Sequence, residues 1–418
     1  MVKQNFQVIV IGGGAAGFFG AIACATSHRY AQVTILEAGV KPLTKVRISG
    51  GGRCNVTHHC FEPGQLVQNY PRGGRALLGA FTRFNPQNTV AWFQGRGVRL
   101  KTESDGRMFP VTDDSSTIAN CLTAAAREAG VKLRTKARVK AVSQIQTPQK
   151  GFAVKLNTGE ILQGDRLLLA TGGNPLGYLF AKELGHKVIP TIPSLFTFNL
   201  KDPRLQDLAG VSVDKVKVRL LHQDKKNKQQ LEQTGALLIT HWGISGPAVL
   251  KLSAWGARIL QENNYCLPLE INWLPDLNSE IIRQKLLDSK SQTPRRQITV
   301  SCPFPLPKRL WQRLVSIAGV GEQLRWAQLS KQALNKLVQE LGKGEYEIRG
   351  KGVFKDEFVT CGGVSLKEVN FKTMESRICP GLHFAGEILD IDGVTGGFNF
   401  QSAWTTGWLA GKGMSNEE

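Results

Sequence analysis

Three glycines near the start of the chain have the spacing of a phosphate-binding turn. Residues 12–17 read GGGAAG, which fits the pattern G-x-G-x-x-G. Glycine at position 12 permits a tight turn, Gly14 lets the backbone approach a pyrophosphate, and Gly17 lets a helix pack closely on a strand. Glu37 follows Gly17 by 20 residues, where a carboxylate can accept hydrogen bonds from ribose hydroxyls. The chemistry indicated is the binding of an adenine dinucleotide, either NAD or FAD.

The elements around these glycines have the order that such a turn requires. Residues 7–11 (QVIVI) are apolar at four of five positions, as in a parallel strand buried on both faces. Residues 18–25 are small and apolar, which favours a tightly packed helix, and residues 32–36 (QVTIL) predict a second strand. Residues 8–27 carry no charge, yet their five glycines suit a nucleotide-binding turn better than a signal peptide or a membrane span.

A second glycine-rich segment, SGGGRCN, occupies residues 49–55. Its glycines suit a loop whose backbone wraps phosphates or the edge of a flavin, with Arg53 as the charge partner of the cofactor. A flexible surface loop is the alternative interpretation. Cys54 is a candidate proton donor or else a buried packing residue, and we expect His58 and His59 to lie in a surface loop.

Two further segments combine a predicted strand with glycines, one in the middle of the chain and one near its end. Residues 166–170 (RLLLA) predict an apolar strand that leads into TGG at 171–173. Residues 381–387 predict another strand with an acid at its tip, followed by GGFN at 396–399 and a segment of helical composition. A glycine-rich helix N-terminus offers free N–H groups to an electron-rich oxygen or an anionic ring edge. We therefore expect both ends of the chain to form one cofactor site.

These residues resemble flavoproteins with two dinucleotide-binding domains, and more specifically the YhiN/BaiN family of FAD-dependent oxidoreductases, also called aminoacetone-oxidase-like. The motifs that carry the resemblance are SGGGRCN (49–55), THWGISGP (240–247), TCGGV (360–364), KTMES (372–376), GEILD (386–390) and GGFN (396–399). The resemblance implies FAD as the cofactor, its adenosine held by the first turn and its ribityl–pyrophosphate part by the late Gly-Glu pair. NAD(P)H is expected to visit only transiently, because no second complete nucleotide-binding turn is found.

The resemblance also implies an α/β fold, namely a Rossmann-type FAD-binding domain of the glutathione-reductase kind with an inserted β-barrel-like domain and a small helical subdomain. The expected boundaries are 1–190 with 355–418 for the FAD domain, 191–300 for the β-rich insertion and 301–354 for the helical subdomain. Short apolar strands are predicted at 196–200, 215–219 and 237–240, and helical periodicity runs through 308–341.

The motifs and the resemblance together give a set of expected site residues. The FAD contacts are Gly12, Gly14, Ala16, Gly17, Glu37, Ala38, Arg53, Asn55, Val139, Thr171, Gly172, Gly386, Glu387, Gly396, Gly397, Phe398 and Asn399. The candidate proton donors are His241, in the turn THWG, and Cys54, since histidine can release a proton near neutral pH. A structural histidine is the alternative for His241. No metal site is expected, because the eight cysteines include no CxxC pair.

The charge of the chain indicates a polyanionic partner. Fifty-three Lys and Arg residues against 33 Asp and Glu give a net charge of +20, which favours RNA, DNA or an anionic membrane. Residues 131–140 alternate apolar and basic positions and predict one half-buried strand with five cations on one face. The five are Lys132, Arg134, Lys136, Arg138 and Lys140, and Lys225, Lys226 and Lys228 add to the charge. A phosphate-contact surface and a merely solvated face are both open interpretations.

The function implied by the resemblance is reduction of a conjugated C=C bond, with a hydride from reduced FAD and a proton from an acid. Family members are associated with steroid-like enones and with uridine in ribosomal RNA, and the charge favours RNA here. The alternatives are a reductase of a small enone, an oxygen-using aminoketone or amine oxidase, and a flavin-bearing RNA-binding factor without catalysis. The oxidase is disfavoured because a cationic protein repels a cationic amine. The scattered cysteines and the lack of another long apolar run favour the cytoplasm, with no membrane partner.

Overall fold

The structure is a computed structural model that describes residues 5–145, 151–222, 231–352 and 359–415. The strands are β1 (Phe6–Ile11), β2 (Ala31–Leu36), β3 (Thr57–His58), β4 (Leu100–Thr102), β5 (Arg107–Pro110), β6 (Lys132–Arg134), β7 (Val139–Ile145), β8 (Gly151–Leu156), β9 (Ile161–Gly164), β10 (Arg166–Leu169), β11 (Val188–Ser194), β12 (Phe198–Asn199), β13 (Ser212–Leu220), β14 (Glu232–Ile239), β15 (Gly243–Ser245), β16 (Cys266–Asn272), β17 (Gly344–Arg349), β18 (Val359–Val364), β19 (Val369–Asn370), β20 (Glu375–Ser376) and β21 (Leu382–Phe384). The α-helices are α1 (Ala15–Ser27), α2 (Thr44–Ile48), α3 (Pro63–Leu66), α4 (Gly74–Phe81), α5 (Pro86–Gln94), α6 (Ser115–Glu128), α7 (Pro175–Glu183), α8 (Pro247–Trp255), α9 (Ala257–Glu262), α10 (Ser279–Gln292), α11 (Lys308–Ile317), α12 (Lys331–Lys343) and α13 (Phe398–Gly413).

The chain forms two compact units, Met1–Ile192 with Val359–Glu418, and Pro193–Phe358. The first contains a seven-stranded sheet in the order β19-β20-β21-β10-β1-β2-β6, in which β21, β10, β1, β2 and β6 run parallel. Ile11 at the end of β1 lies opposite both Leu36 of β2 and Leu169 of β10. The carboxyl ends of these strands therefore meet at one edge of the sheet, the edge where open parallel sheets bind their ligands.

Helices from the two ends of the chain cross in backbone contact within the first unit. A Cβ atom on Gly407 of α13 would lie 2.6 Å from the carbonyl oxygen of Ala16, and one on Gly411 would lie 2.3 Å from that of Gly20. Such distances leave no room for a side chain, so these glycines let α1 and α13 approach more closely than any other residue would. The predicted convergence of the chain ends is thus produced by glycines on both helices.

The second unit is built on a six-stranded sheet in the order β12-β15-β14-β13-β16-β17. The two outer strands meet as well, because the amide of Asn199 donates to the carbonyl of Gly350 at 2.9 Å and that of Gly352 donates to Thr197 at 3.0 Å. This closure gives the β-barrel-like sheet that was predicted. One hydrophobic core contains both residues of the barrel, such as Val218, and residues of the helices, such as Trp311. The predicted division of this unit into a β-rich domain and a helical subdomain at residue 300 stays a prediction.

One prediction about the first unit is wrong. Residues 131–140 do not form a single strand, because β6 ends at Arg134, Lys136 has a left-handed φ of 56°, and β7 begins at Val139. The turn breaks the line of five cations, and Arg134 is paired with Glu160 at 2.6 Å. Lys132, Lys136, Arg138 and Lys140 remain exposed. Lys225, Lys226 and Lys228, which we expect to add to this charge, lie outside the described residues. Within the described ranges, no helix has both the length and the apolar character needed to span a bilayer.

The helix crossing predicts a stability effect that depends on position. We expect Gly407→Ala to lower the free energy of unfolding by about 1–3 kcal/mol, because the new methyl group overpacks the backbone of α1. The matched control is Gly79→Ala, at an exposed position of α4 where an added Cβ meets no atom within 4 Å. This control should be neutral or stabilise by up to about 1 kcal/mol, as alanine is the better helix former.

The measurement is the denaturant midpoint of the far-ultraviolet circular dichroism transition for both variants and the wild type. A Gly407→Ala protein as stable as the Gly79→Ala control would contradict the backbone contact between the two helices.

Candidate functional site

The first glycine turn leaves an open face beside the start of α1. Gly12 has φ 113°, and a Cβ there would lie 2.3 Å from the carbonyl oxygen of Ala170, while one on Gly17 would lie 1.9 Å from that of Gly12. Gly14 differs, since a Cβ there would meet no atom within 4 Å. No side chain caps the N-terminus of α1. The turn therefore offers unfilled space and free amide groups to an anionic group.

Glu37, at the end of β2, is held against this turn by backbone amides. Its carboxylate accepts hydrogen bonds from the amide of Gly13 at 2.9 Å and that of Gly39 at 2.6 Å. Each carboxylate oxygen has a second lone pair, so the side chain can still accept from ribose hydroxyls. Ala16 is buried in the first turn of α1, Ala38 is exposed beside Glu37, and Val139 is buried at the start of β7.

The segment 49–55 is a strained loop with room around its backbone. Gly50, Gly51 and Gly52 have successive φ values of 59°, 69° and 85°, in the left-handed region. Added Cβ atoms at Gly51 and Gly52 would meet nothing within 4 Å. Such a run of consecutive left-handed residues needs glycine. The open space beside Gly51 and Gly52 is what a loop that wraps a ligand requires.

Asn55 joins this loop to the glycine turn before α13. In the orientation that gives both atoms of the Asn55 side-chain amide a partner, the nitrogen donates to the carbonyl of Thr57 and the oxygen accepts from the backbone amide of Gly397, both at 3.0 Å. Gly396 and Gly397 have φ values of 129° and 90°. Two of the predicted glycine-rich segments are thus in direct contact.

Arg53 has protein partners in the structure. Its guanidinium lies 2.6 Å from Glu103 and 3.5 Å from Asp113, and its Cζ stands 4.0 Å from the centre of the Phe109 ring. Two carboxylates already neutralise this side chain. A direct charge contact between Arg53 and the cofactor therefore stays a prediction.

Glu387 is the centre of a polar cluster at the carboxyl edge of the sheet. It accepts from Lys45 Nζ at 2.5 Å and from the amide of Thr360 at 2.9 Å. Gly172 and Gly173 lie beside it, since a Cβ on either would come within 3.6 Å of its carboxylate. The neighbouring hydroxyl of Thr171 is buried and has no hydrogen-bond partner among the described residues. A buried hydroxyl without a partner is costly, so this position suits a polar ligand group.

The residues that lead into α13 are fixed by side-chain contacts. The Asn399 amide both accepts from and donates to the backbone of Gly393 at 2.8 Å. The Tyr70 hydroxyl donates to the carbonyl of Phe398 at 2.6 Å, and the His58 ring stacks on the Phe398 ring at 4.7 Å. The expectation that His58 lies in a surface loop is wrong, because it belongs to β3 and is half-buried against this turn.

Several residues that shape the site carry no local sequence signal. Lys45 pairs with Glu387 across 342 positions, and Arg72 donates to both carboxylate oxygens of Asp392, which is fully buried. Asp392 is therefore bound by the protein itself. Contacts of this kind depend on tertiary placement, which the spacing of residues along the chain does not reveal.

The two predicted proton donors have different surroundings. Cys54 is fully buried with a φ of 63°, and burial raises the pKa of its thiol to about 12. His241 is exposed in the second unit, between β14 and β15, with its ring 5.9 Å from that of Trp242. A thiol with so high a pKa releases its proton reluctantly near neutrality. The role of either residue in catalysis stays a prediction.

The observed features fit an FAD molecule. Gly14, Gly51 and Gly52 surround unfilled space, Thr171 has an unused buried hydroxyl, and Glu37 keeps acceptor capacity beside the first turn. Gly12, Gly14 and Glu37 would hold the adenosine and pyrophosphate, and Glu387 with the turn at 396–399 would hold the remainder. Among the described residues, His, Cys, Asp and Glu side chains form no group of three that could hold a metal ion. Fold and site together define a Rossmann-type dinucleotide-binding protein.

Comparison with known proteins gives the family. The profile described as the HI0933-like protein Rossmann domain matches residues 6–413, so the chain belongs to this family of FAD-dependent oxidoreductases. The chain is 31% identical over 422 residues to the ribosomal RNA dihydrouridine synthase of Escherichia coli (strain K12), covering 98% of each chain. It is 30% identical over 415 residues to the 3-dehydro-bile acid delta(4,6)-reductase of Clostridium scindens, covering 97% of this chain and 98% of that protein.

A solved structure supports the fold independently. The 3-ketosteroid-delta4-(5alpha)-dehydrogenase of Rhodococcus jostii RHA1, in complex with 4-androstene-3,17-dione, aligns with a TM-score of 0.50. The alignment covers 100% of this chain and 98% of that one at 13% identity. At this identity the likeness concerns the fold alone. The predicted family, the Rossmann-type fold and the FAD cofactor are thus confirmed.

The geometry of Glu37 predicts its effect on cofactor affinity. We expect Glu37→Gln to weaken FAD binding by about 10-fold or more, because the neutral amide loses the charge-assisted acceptor and places an NH2 group beside backbone donors. The measurement is titration of the apoprotein with FAD, followed by flavin fluorescence. Glu128→Gln, at the exposed end of α6, is the control and should leave the affinity unchanged. Equal FAD affinity in the wild type and Glu37→Gln would remove Glu37 from the site.

Burial of Cys54 predicts its reactivity. Burial raises the pKa of the Cys54 thiol to about 12, so very little of it is thiolate at pH 8, and only the thiolate is alkylated. Iodoacetamide should therefore modify the exposed Cys266 and spare Cys54 in the native protein, as read by peptide mass spectrometry. Both should react in denaturant, which serves as the control. Modification of native Cys54 as fast as Cys266 would contradict its buried position.

Proposed function

We propose that this protein reduces a conjugated C=C bond, that the favoured substrate is uridine in ribosomal RNA, and that the product is dihydrouridine. When bound, FAD would supply a hydride equivalent to the β-carbon of the conjugated carbonyl, with NAD(P)H as its transient source of electrons. The chain must supply the proton at the α-carbon and must position the uracil ring of the substrate. The 98% coverage of a relative named ribosomal RNA dihydrouridine synthase supports this proposal.

The net charge is the observation that carries the choice of substrate. A chain with +20 attracts a polyanion over long range, whereas a pocket for a single small enone gains little from charge spread over the whole chain. The exposed Lys132, Lys136, Arg138 and Lys140 of the first unit remain candidates for phosphate contact. We place the protein in the cytoplasm, where ribosomal RNA is found.

We propose His241 as the proton donor. Histidine is the side chain whose ordinary titration range is closest to neutrality, and His241 is exposed to an incoming substrate. Cys54 is the weaker candidate, because burial raises the pKa of its thiol to about 12. A well-placed general acid contributes about 100-fold or more to the rate.

The second candidate function is reduction of a small enone. It is favoured by the relative named 3-dehydro-bile acid delta(4,6)-reductase, at 30% identity. An oxygen-using aminoketone or amine oxidase is less compatible with a cationic protein, because its substrate is itself a cation. A flavin-bearing RNA-binding factor without catalysis would tolerate substitutions at the flavin site without loss of its cellular role.

The proposal predicts dihydrouridine formation in vitro. Anaerobic incubation of the FAD-loaded protein with NADH or NADPH and ribosomal RNA from a strain lacking the gene should produce dihydrouridine, read by nucleoside mass spectrometry. His241→Ala should lower this rate by about 100-fold while reduction of the flavin by NAD(P)H is unchanged. His222→Ala, an exposed histidine of the same unit, is the matched control and should keep the rate.

Three outcomes would contradict the proposal. Absence of dihydrouridine with active NAD(P)H oxidation would exclude RNA reduction. Rapid turnover of a small enone instead would favour the second candidate function. Rapid formation of peroxide with an amine substrate would favour the oxidase.

A further inference from the structure

The second unit carries an excess of positive charge that the flavin site in the first unit does not use. From residue 289 to residue 339 the sequence contains nine Lys and Arg residues and one acid, Glu322, a net charge of +8 out of the chain's +20. The nine are Lys290, Arg295, Arg296, Lys308, Arg309, Arg313, Arg325, Lys331 and Lys336. A merely solvated surface mixes both signs of charge, so this segment departs from the ordinary pattern.

Backbone pairing brings three of these arginines close together. Gln297 lies opposite Arg325 in an antiparallel bridge, and the amide of Trp326 donates to the carbonyl of Arg296 at 3.0 Å. Arg295, Arg296 and Arg325 are exposed, and none has a carboxylate within 4.0 Å among the described residues. Arg313, by contrast, is paired with Asp207 at 3.6 Å. We refer to Arg295, Arg296 and Arg325 as the arginine cluster.

Two buried tryptophans fix the segments that bear the arginine cluster. The Trp311 indole donates to the carbonyl of Ile298 at 2.7 Å, and the Trp326 indole donates to Ser301 Oγ at 2.6 Å. Their rings stack at 6.4 Å, and both are fully buried. The backbone that carries the arginines is therefore ordered in advance, so that less conformational freedom is lost when a partner binds.

The nearby helices repeat the same charge preference. Helix α11 begins with Lys308 and helix α12 begins with Lys331, and neither has an acid in its first turn. A helix N-terminus carries a partial positive charge, so an acid there stabilises the helix. The cations at these positions therefore do not stabilise α11 or α12. They add to a surface that attracts an anion.

We propose that the arginine cluster binds the phosphate backbone of the RNA that carries the substrate base. The identity of the RNA rests on the proposed function, whereas the surface itself rests on the charges and contacts just described. Arginine suits this partner, because its planar guanidinium donates two parallel hydrogen bonds to a phosphate. A membrane is the poorer match, since Val300 is the one large apolar side chain exposed between residues 289 and 339 in the described structure.

The test uses the full-length, FAD-loaded protein with Arg295→Gln, Arg296→Gln and Arg325→Gln combined. Its affinity for a fluorescein-labelled ribosomal RNA hairpin is measured by polarisation at several KCl concentrations. We expect binding about 10- to 100-fold weaker than the wild type, and a salt dependence lower by about two to three counterions. Flavin content and reduction by NAD(P)H should be unchanged. The matched control combines Arg75→Gln, Arg99→Gln and Arg127→Gln, three exposed arginines of the first unit, and removes the same charge.

Three outcomes overturn the assignment. If the control loses as much affinity as the arginine variant, binding follows net charge and not the cluster. If only the control loses affinity, the first unit binds the RNA instead. Wild-type binding to duplex DNA or anionic phosphatidylserine vesicles as tight as to RNA would reject RNA as the partner. Salt-sensitive RNA binding through the cluster without dihydrouridine formation would keep this surface and reject the proposed reaction, so the two failures are distinguishable.

Discussion

The structure depends on one contact between the two ends of the chain, the glycine crossing of α1 and α13. Gly20, Gly407 and Gly411 let the backbones of the two helices approach each other closely. α1 follows the first glycine turn and α13 follows the turn at 396–397. A larger residue at the crossing would move one glycine turn relative to the other and would disturb a site that uses both.

Around this crossing the protein satisfies most polar groups itself and leaves a few unused. Glu387 is engaged by Lys45 and Thr360, Arg53 by Glu103, and Asp392 by Arg72. Hydrogen-bonding capacity is unused at the Thr171 hydroxyl and at the N-terminus of α1, where no side chain caps the helix. Space is unfilled beside Gly14, Gly51 and Gly52. Charged pairs that hold loops in place and unfilled space beside backbone amides are what a preorganised cofactor site requires.

The sequence predicted the features that depend on local backbone requirements. Gly12 and Gly17 are recognisable because their positions demand glycine, and Gly14 is recognisable from its place in the G-x-G-x-x-G pattern. The apolar runs that became β1, β2 and β10 are typical of buried parallel strands. It could not predict Lys45 beside Glu387 or His58 stacked on Phe398, since those contacts join residues more than 300 positions apart. The strand expected at 131–140 failed because alternation of side chains does not reveal a left-handed turn at Lys136. The arginine cluster likewise depends on pairing between segments that are distant in sequence.

The flavin bound to the purified wild-type protein tests this account most directly. If the two glycine turns and Glu37 hold an adenine dinucleotide, the protein should be yellow and should release one FAD per chain on denaturation, with FMN unable to replace it. A colourless protein that takes up no added FAD, or one that binds FMN as tightly as FAD, would contradict the central claim that both ends of the chain enclose a single dinucleotide.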